Sequence, residues 1–319
     1  MSKILITDAL ACPLPPLPFE VVRFPQDGPI VQGRDAEALV VWNTPAKVLH
    51  PLIGEMPNLR WIQALTNGVD HIVTYEFLST KTIVTNGRGL HDAPTAEMAV
   101  ALILAVARQL PRYWAMQMQG KWDKEGYSRQ LTLGATLGTL ENAYVVIMGM
   151  GGVGVEIAKR LKPFGANIVG LATKTGMREG FMTHEMSEME RFIERADVLI
   201  MALPETEKTK GILSANLLMK MQKHAWIVNV GRASSIDEAG LQYVLQQGRI
   251  AGAALDVFHR EPLIHDSAWW KVPNVIITPH VAGGGPRFYK KACALLERNA
   301  AKYASGQPLE NVINRDRGY

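Results

Sequence analysis

Arg232, Glu261 and His280 each stand just beyond an apolar run. Arg232 closes Val228-Asn229-Val230-Gly231-Arg232, Glu261 follows Ala254-Leu255-Asp256-Val257-Phe258, and His280 ends Ile276-Ile277-Thr278-Pro279-His280. A cation, an anion and an imidazole together suit reduction of the carbonyl of a 2-oxo acid. Such a reaction needs a cation to hold the substrate carboxylate and polarise the carbonyl. It also needs an acid for the developing alkoxide and an anion that keeps the acid protonated. Arginine offers a planar fork for the first task. Histidine titrates near neutrality, and a neighbouring carboxylate favours its imidazolium form. Singly, each residue has a bland reading: a surface ion pair, a solvated turn residue, a satisfied histidine. Their common place at strand ends of one expected sheet joins them into a candidate site.

The strongest local pattern lies upstream of them. Val145-Val146-Ile147-Met148 is an apolar strand that runs into Gly149-Met150-Gly151-Gly152-Val153-Gly154, and an amphipathic helical pattern over 153–164 follows. Gly149 permits a tight turn, Gly151 lets backbone approach a dinucleotide pyrophosphate, and Gly154 lets helix pack on strand. The free N–H groups and positive dipole end of that helix, from Val153 on, aim at phosphate. Pro163 and Gly165 close it.

Around this motif, strands are expected over 4–7, 19–24, 38–42, 60–65 and 82–85 before it. After it, strands over 167–172, 198–203, 226–230, 251–257 and 275–278 alternate with helices over 186–195, 215–221 and 237–247. The alternation implies a doubly wound parallel sheet, whose ligands lie beyond the carboxyl ends of the strands. Pro204, Gly231-Arg232, Asp256, Glu261 and His280 occupy those ends. Asp92-Ala93-Pro94-Thr95-Ala96-Glu97 reads as a helix entry leading into a buried apolar helix through Ala107 that crosses between domains. Residues 121–139 have no clean period and read as an irregular arm. A helix over 286–303 and a polar tail over 306–319 end the chain.

Composition narrows the function classes. The 319 residues carry 47% hydrophobic content and a formal charge of +4 without a run of five or more like charges, which fits a soluble globular protein of two domains and disfavours nucleic-acid binding. No apolar stretch reaches the roughly 20 residues that cross a bilayer, and no signal peptide is evident, so a cytoplasmic location is expected. Two cysteines, Cys12 and Cys293, suggest no disulfide framework and fit a reducing compartment. The histidines show no zinc spacing, and no metal is expected. Met148, Met150, Met219 and Met221 read as core residues.

As an ordered set these motifs closely resemble the D-isomer-specific 2-hydroxyacid dehydrogenase family, which includes glyoxylate/hydroxypyruvate reductases. Further matches are Asn67-Gly68-Val69-Asp70, Val84-Thr85-Asn86-Gly87 with Thr95-Ala96-Glu97, and Ala202-Leu203-Pro204. The resemblance implies an α/β architecture. A Rossmann cofactor domain spans 98–287, and a smaller flavodoxin-like substrate domain is formed by 1–97 and 288–319. It implies His280 as acid/base, Glu261 as its partner and Arg232 as substrate clamp, with the amides of Asn67, Gly68 and Val69 on the substrate carboxylate. It places Asp256 on the nicotinamide carboxamide and Thr95, Gly152, Val153, Pro204, Val230, Gly231 and Gly283 around the cofactor, with Arg232 and His280 also bordering it. It also implies a homodimer formed through the cofactor domain.

Two departures bear on this reading. The acid that ends the second Rossmann strand in NAD-type sites is missing, since Ala172 leads into Thr173-Lys174-Thr175. Those hydroxyls and the cation, with Arg178 helping, suit the extra phosphate of NADP, so NADP is expected over NAD. The second departure is Ala233, where the family commonly has glycine after the arginine. The rival readings are a nucleotide-sensing co-repressor of the same fold, like the C-terminal-binding proteins, and a formate- or phosphite-type dehydrogenase.

Overall fold

A computed structural model describes residues 2–26, 30, 32–73, 78–126, 128 and 137–315. The chain divides into two compact units, one of Met1–His91 with Gly284–Tyr319 and the other of Asp92–Gly283.

In the first unit β1 (Lys3–Thr7), β2 (Glu20–Phe24), β3 (Ala38–Val41), β4 (Trp61–Ala64) and β5 (Ile83–Thr85) form an all-parallel sheet ordered β2-β1-β3-β4-β5. This is the flavodoxin-like order. Apart from Lys3 and Thr7 at the ends of β1 and the buried Gln63 of β4, its central strands are apolar because both faces are covered. Ile4, Ile6, Ala38, Val40 and Trp61 point to one face, against Leu295, Leu296 and Ala300 of the C-terminal helix α9 (Phe288–Ala304). Leu5, Leu39, Ile62 and Ala64 point to the other, against Leu49, Leu52 and Ile53 of α1 (Ala46–Gly54). A period of two in side-chain direction thus sorts one run of apolar residues into two cores. A short α2 (Asp70–Val73) follows β4, and residues past 306 return to this sheet, where Val312 bridges Thr85.

The structure corrects the cysteine expectation. Cys12 and Cys293 form a disulfide, with Cα atoms 7.6 Å apart. Their separation of 281 positions hid the pairing, because α9 closes over the first sheet only after the whole second unit has been threaded. Cysteine content therefore gives no argument for a reducing compartment.

In the second unit β6 (Tyr144–Met148), β7 (Asn167–Ala172), β10 (Val198–Met201), β11 (Trp226–Asn229), β12 (Gly252–Leu255) and β13 (Val275–Ile277) are parallel. With β8 (Gly176–Arg178) and β9 (Phe181–Glu185) they give the order β13-β12-β11-β10-β6-β7-β9-β8, in which only β8 is antiparallel. This is the doubly wound Rossmann arrangement, with its switch point between β6 and β10. Two helices, α3 (Asp92–Ala107) and α5 (Gly152–Leu161), cover one face through Ala99, Ile103, Val106, Ile157, Ala158 and Leu161. The other face meets α6 (Met189–Ile193), α7 (Ala215–Lys220) and α8 (Glu238–Gln246). Because α3 packs on α5, it belongs wholly to this unit.

A second correction concerns Met219, which is 39% exposed on α7, whereas Met148, Met150 and Met221 are buried. Met219 lies on the helix side turned away from the buried Leu217 and Leu218. Between α3 and β6 lies α4 (Leu110–Met118), none of whose residues is buried. Of the arm expected over 121–139, residues 127 and 129–136 lie outside the described residues, as do residues 316–319 of the expected tail. No single helix among the described residues is long and apolar enough to cross a membrane.

Candidate active site

The glycine turn sits at the switch point. Gly149 has φ +101°, and a Cβ on it would approach the Ala202 carbonyl oxygen to 2.5 Å, so only glycine lets the ends of β6 and β10 meet. A Cβ on Gly154 would overlap the Gly149 carbonyl oxygen, which fixes how closely α5 packs on the turn. Gly151 differs: nothing lies within 4 Å of its Cβ position. That open space beside the amino end of α5 is a cradle of the kind a pyrophosphate fills. The residues present fit a dinucleotide. Val153 is half-buried in the first turn of α5, Thr95 is buried on α3, and Pro204, Gly231 and Gly283 are half-buried in the second unit.

Thr173, Lys174 and Thr175 are exposed at the end of β7. The β8–β9 hairpin that follows was not expected from the sequence. Its signal was the pair Glu179-Gly180 between two short strands, with φ of 49° and 84°, the positive values that a two-residue hairpin turn uses. The hairpin steadies the loop, since the buried Thr183 hydroxyl donates to the Gly176 carbonyl at 2.7 Å. It also brings Arg178 to the glycine turn, where Nη1 donates to the Met150 carbonyl at 2.9 Å.

Beyond β13, His280 Nδ1 lies 2.6 Å from Oε2 of Glu261. The other carboxylate oxygen of Glu261 accepts from the Phe258 amide at 2.8 Å. Burial pushes the Glu261 pKa up and is the largest single influence. The hydrogen bonds from His280 and the Phe258 amide, with the charges of His280 and Arg232, outweigh it together and hold the group below its ordinary value. Glu261 is therefore ionised at neutral pH and can only accept, so Nδ1 carries the proton and Nε2 is the imidazole's second, outward function.

Arg232 follows β11 on a turn tied by side chains whose part the sequence did not disclose. Asn229, 1% exposed, accepts from the Gly231 amide at 3.0 Å and donates to the Arg232 carbonyl at 3.2 Å. Ser235 Oγ donates to the same carbonyl at 2.7 Å. The guanidinium is close enough to lower the Glu261 pKa, so cation, carboxylate and imidazole share one electrostatic neighbourhood.

Asp256 is 1% exposed, and its oxygens serve the segment around His280. Oδ1 accepts from the Thr278 hydroxyl at 2.6 Å and the Val281 amide at 3.0 Å, and Oδ2 from the Ala282 amide at 2.9 Å. Nothing in the local pattern of residues 254–258 revealed this, because every partner is more than 20 positions downstream.

In the first unit, Asn67, Gly68 and Val69 form the turn after β4. Thr66 Oγ1 donates to the Gly68 carbonyl at 2.8 Å, and the buried Asn86 donates from Nδ2 to the Asn67 carbonyl at 3.0 Å. Asn86 was legible only as a motif match, not as the brace of this turn.

A parallel sheet with a glycine turn at its switch point, and an imidazole–carboxylate pair on the same edge, define a dinucleotide-binding oxidoreductase. The family model described as "D-isomer specific 2-hydroxyacid dehydrogenase, NAD binding domain" matches residues 100–282, and the chain belongs to that family. It is 30% identical over 289 residues to a glyoxylate reductase of Thermofilum pendens, covering 89% of this chain and 83% of the relative. It is 32% identical over 283 residues to a D-3-phosphoglycerate dehydrogenase of Methanocaldococcus jannaschii, covering 88% of this chain and 52% of the relative. The chain thus spans about half the length of the phosphoglycerate dehydrogenases it matches. Among solved structures, an NADPH-dependent glyoxylate/hydroxypyruvate reductase from Sinorhizobium meliloti, in complex with NADP and sulfate, superimposes with a TM-score of 0.84. It has 28% identity and covers 100% of both chains.

Proposed function

We propose that this protein reduces a small 2-oxo acid to the D-2-hydroxy acid, with NADPH preferred over NADH. The observation that carries the reading is the 2.6 Å contact of His280 Nδ1 with an ionised Glu261. Glu261 holds Nδ1, and Nε2 gives a proton to the oxygen of the reduced carbonyl; in oxidation it takes the proton back. Arg232 holds the substrate carboxylate and polarises the carbonyl, and the amides of Asn67, Gly68 and Val69 bind that carboxylate too. Bound along the glycine turn, the reduced nicotinamide dinucleotide supplies the hydride. Gly149, Gly151, Gly152, Val153 and Gly154 would hold its pyrophosphate. Thr95, Pro204, Val230, Gly231 and Gly283 would line its path, and Asp256 would meet the carboxamide.

Three features support NADPH. No acid stands at the end of β7, Thr173, Lys174 and Thr175 are exposed there, and Arg178 is anchored beside them at the Met150 carbonyl. The Sinorhizobium meliloti relative is described as NADPH-dependent and was solved with NADP. We also propose a homodimer. Trp114 and Met118 on α4, with Trp122, are 55%, 87% and 87% exposed, an apolar surface of the kind that a second copy covers.

The test is a matrix of NADPH and NADH against glyoxylate, hydroxypyruvate and pyruvate. Oxidation of NADPH is expected, with His280→Ala slowing turnover at least a thousandfold and Lys174→Ala raising KM for NADPH far more than for NADH. Equal KM changes would count against phosphate recognition at this loop. Tight NADPH binding without turnover of any oxo acid would favour a nucleotide-sensing protein instead, and oxidation of formate or phosphite a different dehydrogenase. Light scattering reads the dimer.

A further inference from the structure

Gly152 is not explained by the turn. Its φ is not positive, yet a Cβ there would overlap Oδ2 of Asp92 and lie 2.8 Å from Cγ. The carboxylate of Asp92 is therefore packed against the first residue of α5. Asp92 is itself the first residue of α3, so two helices of 16 and 10 residues begin around one carboxylate. Each helix start carries roughly half a positive charge, and such ends draw phosphate. Here an internal anion already meets both. It stands beside Gly151, whose Cβ direction is the open cradle.

We propose that Asp92 is an affinity-setting residue: a resident anion that weakens pyrophosphate binding at the glycine turn and so speeds exchange of spent for fresh dinucleotide. Release often limits turnover in enzymes that close over a cofactor, so a weaker hold raises flux as long as cofactor is abundant. Gly152 completes the device, because any side chain at that position would displace the carboxylate. The inference rests on the dinucleotide reading above, but not on the choice of oxo acid.

The test is binding of NADPH to the full chain, followed by the change in protein fluorescence, with the dissociation rate taken by stopped flow. Asp92→Asn keeps the shape while removing the charge, and Asp92→Ser keeps only a short hydroxyl. Both are expected to bind NADPH about tenfold more tightly, mainly through slower dissociation. The gap should shrink at about 1 M salt, where charges are screened within a few ångströms. Adenosine 2′-phosphate, which lacks the pyrophosphate, should bind wild type and variants alike. Unchanged or weaker NADPH binding in a folded variant overturns the proposal. So does failure of both variants to fold, which would leave Asp92 a structural role alone. If wild type binds neither NADPH nor NADH, the dinucleotide reading itself fails; if wild type binds and the variants match it, only the role of Asp92 does.

Discussion

Asp256 holds the backbone of His280 in place from both sides. The main-chain carbonyl of Asp256 accepts from the His280 amide at 2.8 Å, while its carboxylate takes the Thr278 hydroxyl and the amides of Val281 and Ala282. His280 has φ +52°, a left-handed conformation that costs a non-glycine residue on the order of 1 kcal/mol. Hydrogen bonds to a charged acceptor contribute about 1.5–3 kcal/mol each, so the three on the carboxylate outweigh the strain.

Removing that hold should misplace the imidazole without unmaking the cofactor turn. Asp256→Ala is expected to lower kcat about a hundredfold, and Thr278→Val, which removes one of the bonds, about tenfold. The dissociation constant for NADPH should change less than threefold in Thr278→Val. If instead NADPH binding weakens in step with kcat in both variants, Asp256 acts chiefly through the nicotinamide.

Asn86 offers the same kind of test in the first unit. Its Nδ2 donates to the Asn67 carbonyl, and its Oδ1 accepts from the Arg88 amide at 3.1 Å, so one buried side chain spans two turns. Asn86→Ala should raise KM for the oxo acid about tenfold while kcat and NADPH affinity move little. That split is what a loosened carboxylate turn predicts, since ground state and transition state lose the same contact. A fall in kcat at constant KM would contradict it.

Residues that repeat locally were readable, and residues that act across the fold were not. Ile4 to Ile6, Ala38 to Val41 and Val145 to Met148 announce buried parallel strands by composition alone, and Gly149 to Gly154 announces the turn between strand and helix. The order of strands then puts Arg232, Glu261 and His280 on one edge. Asp256, at a strand end, Asn229, beside the arginine, and Asp92, at a helix entry, could be placed from the sequence, but what their side chains hold could not, because their partners or surfaces are fixed only by tertiary packing. The Cys12–Cys293 bridge was hidden for the same reason: one cysteine precedes the second unit and the other follows it. The β8–β9 hairpin had a local signal in Glu179-Gly180, but its strands are too short for alternation to show.

Glu261 should govern the aim of the His280 imidazole. Its carboxylate accepts from Nδ1 at 2.6 Å and is itself held by the Phe258 amide at 2.8 Å, which fixes the direction of Nε2. Glu261→Gln still offers an oxygen to Nδ1 but loses the charge that strengthens this bond, so kcat should fall at least tenfold while the dissociation constant for NADPH changes little. Steady-state kinetics beside a binding titration decide the matter. A variant with the wild-type kcat would reduce Glu261 to a packing role.

Glu310 sets a separate, structural pH dependence. The hydrogen bonds of Arg298 and Lys302 bring its pKa from 4.5 to about 2, against a smaller opposing effect of burial. A folded-state pKa below the unfolded one adds stability above the unfolded value, and that stability drains away as pH falls from 4.5 toward about 2. The pair partners are about one-third to one-half exposed, so solvent screening limits the contribution to about 1 kcal/mol. Glu310→Gln should thus be less stable than wild type by about 1 kcal/mol at pH 7 in urea denaturation, with the gap narrowing steadily below pH 4.5. The main-chain bonds of residue 310 to Asn299 survive the substitution, so the slope of the transition should not change. A gap that is constant with pH would show that shape, not charge, is what Glu310 contributes.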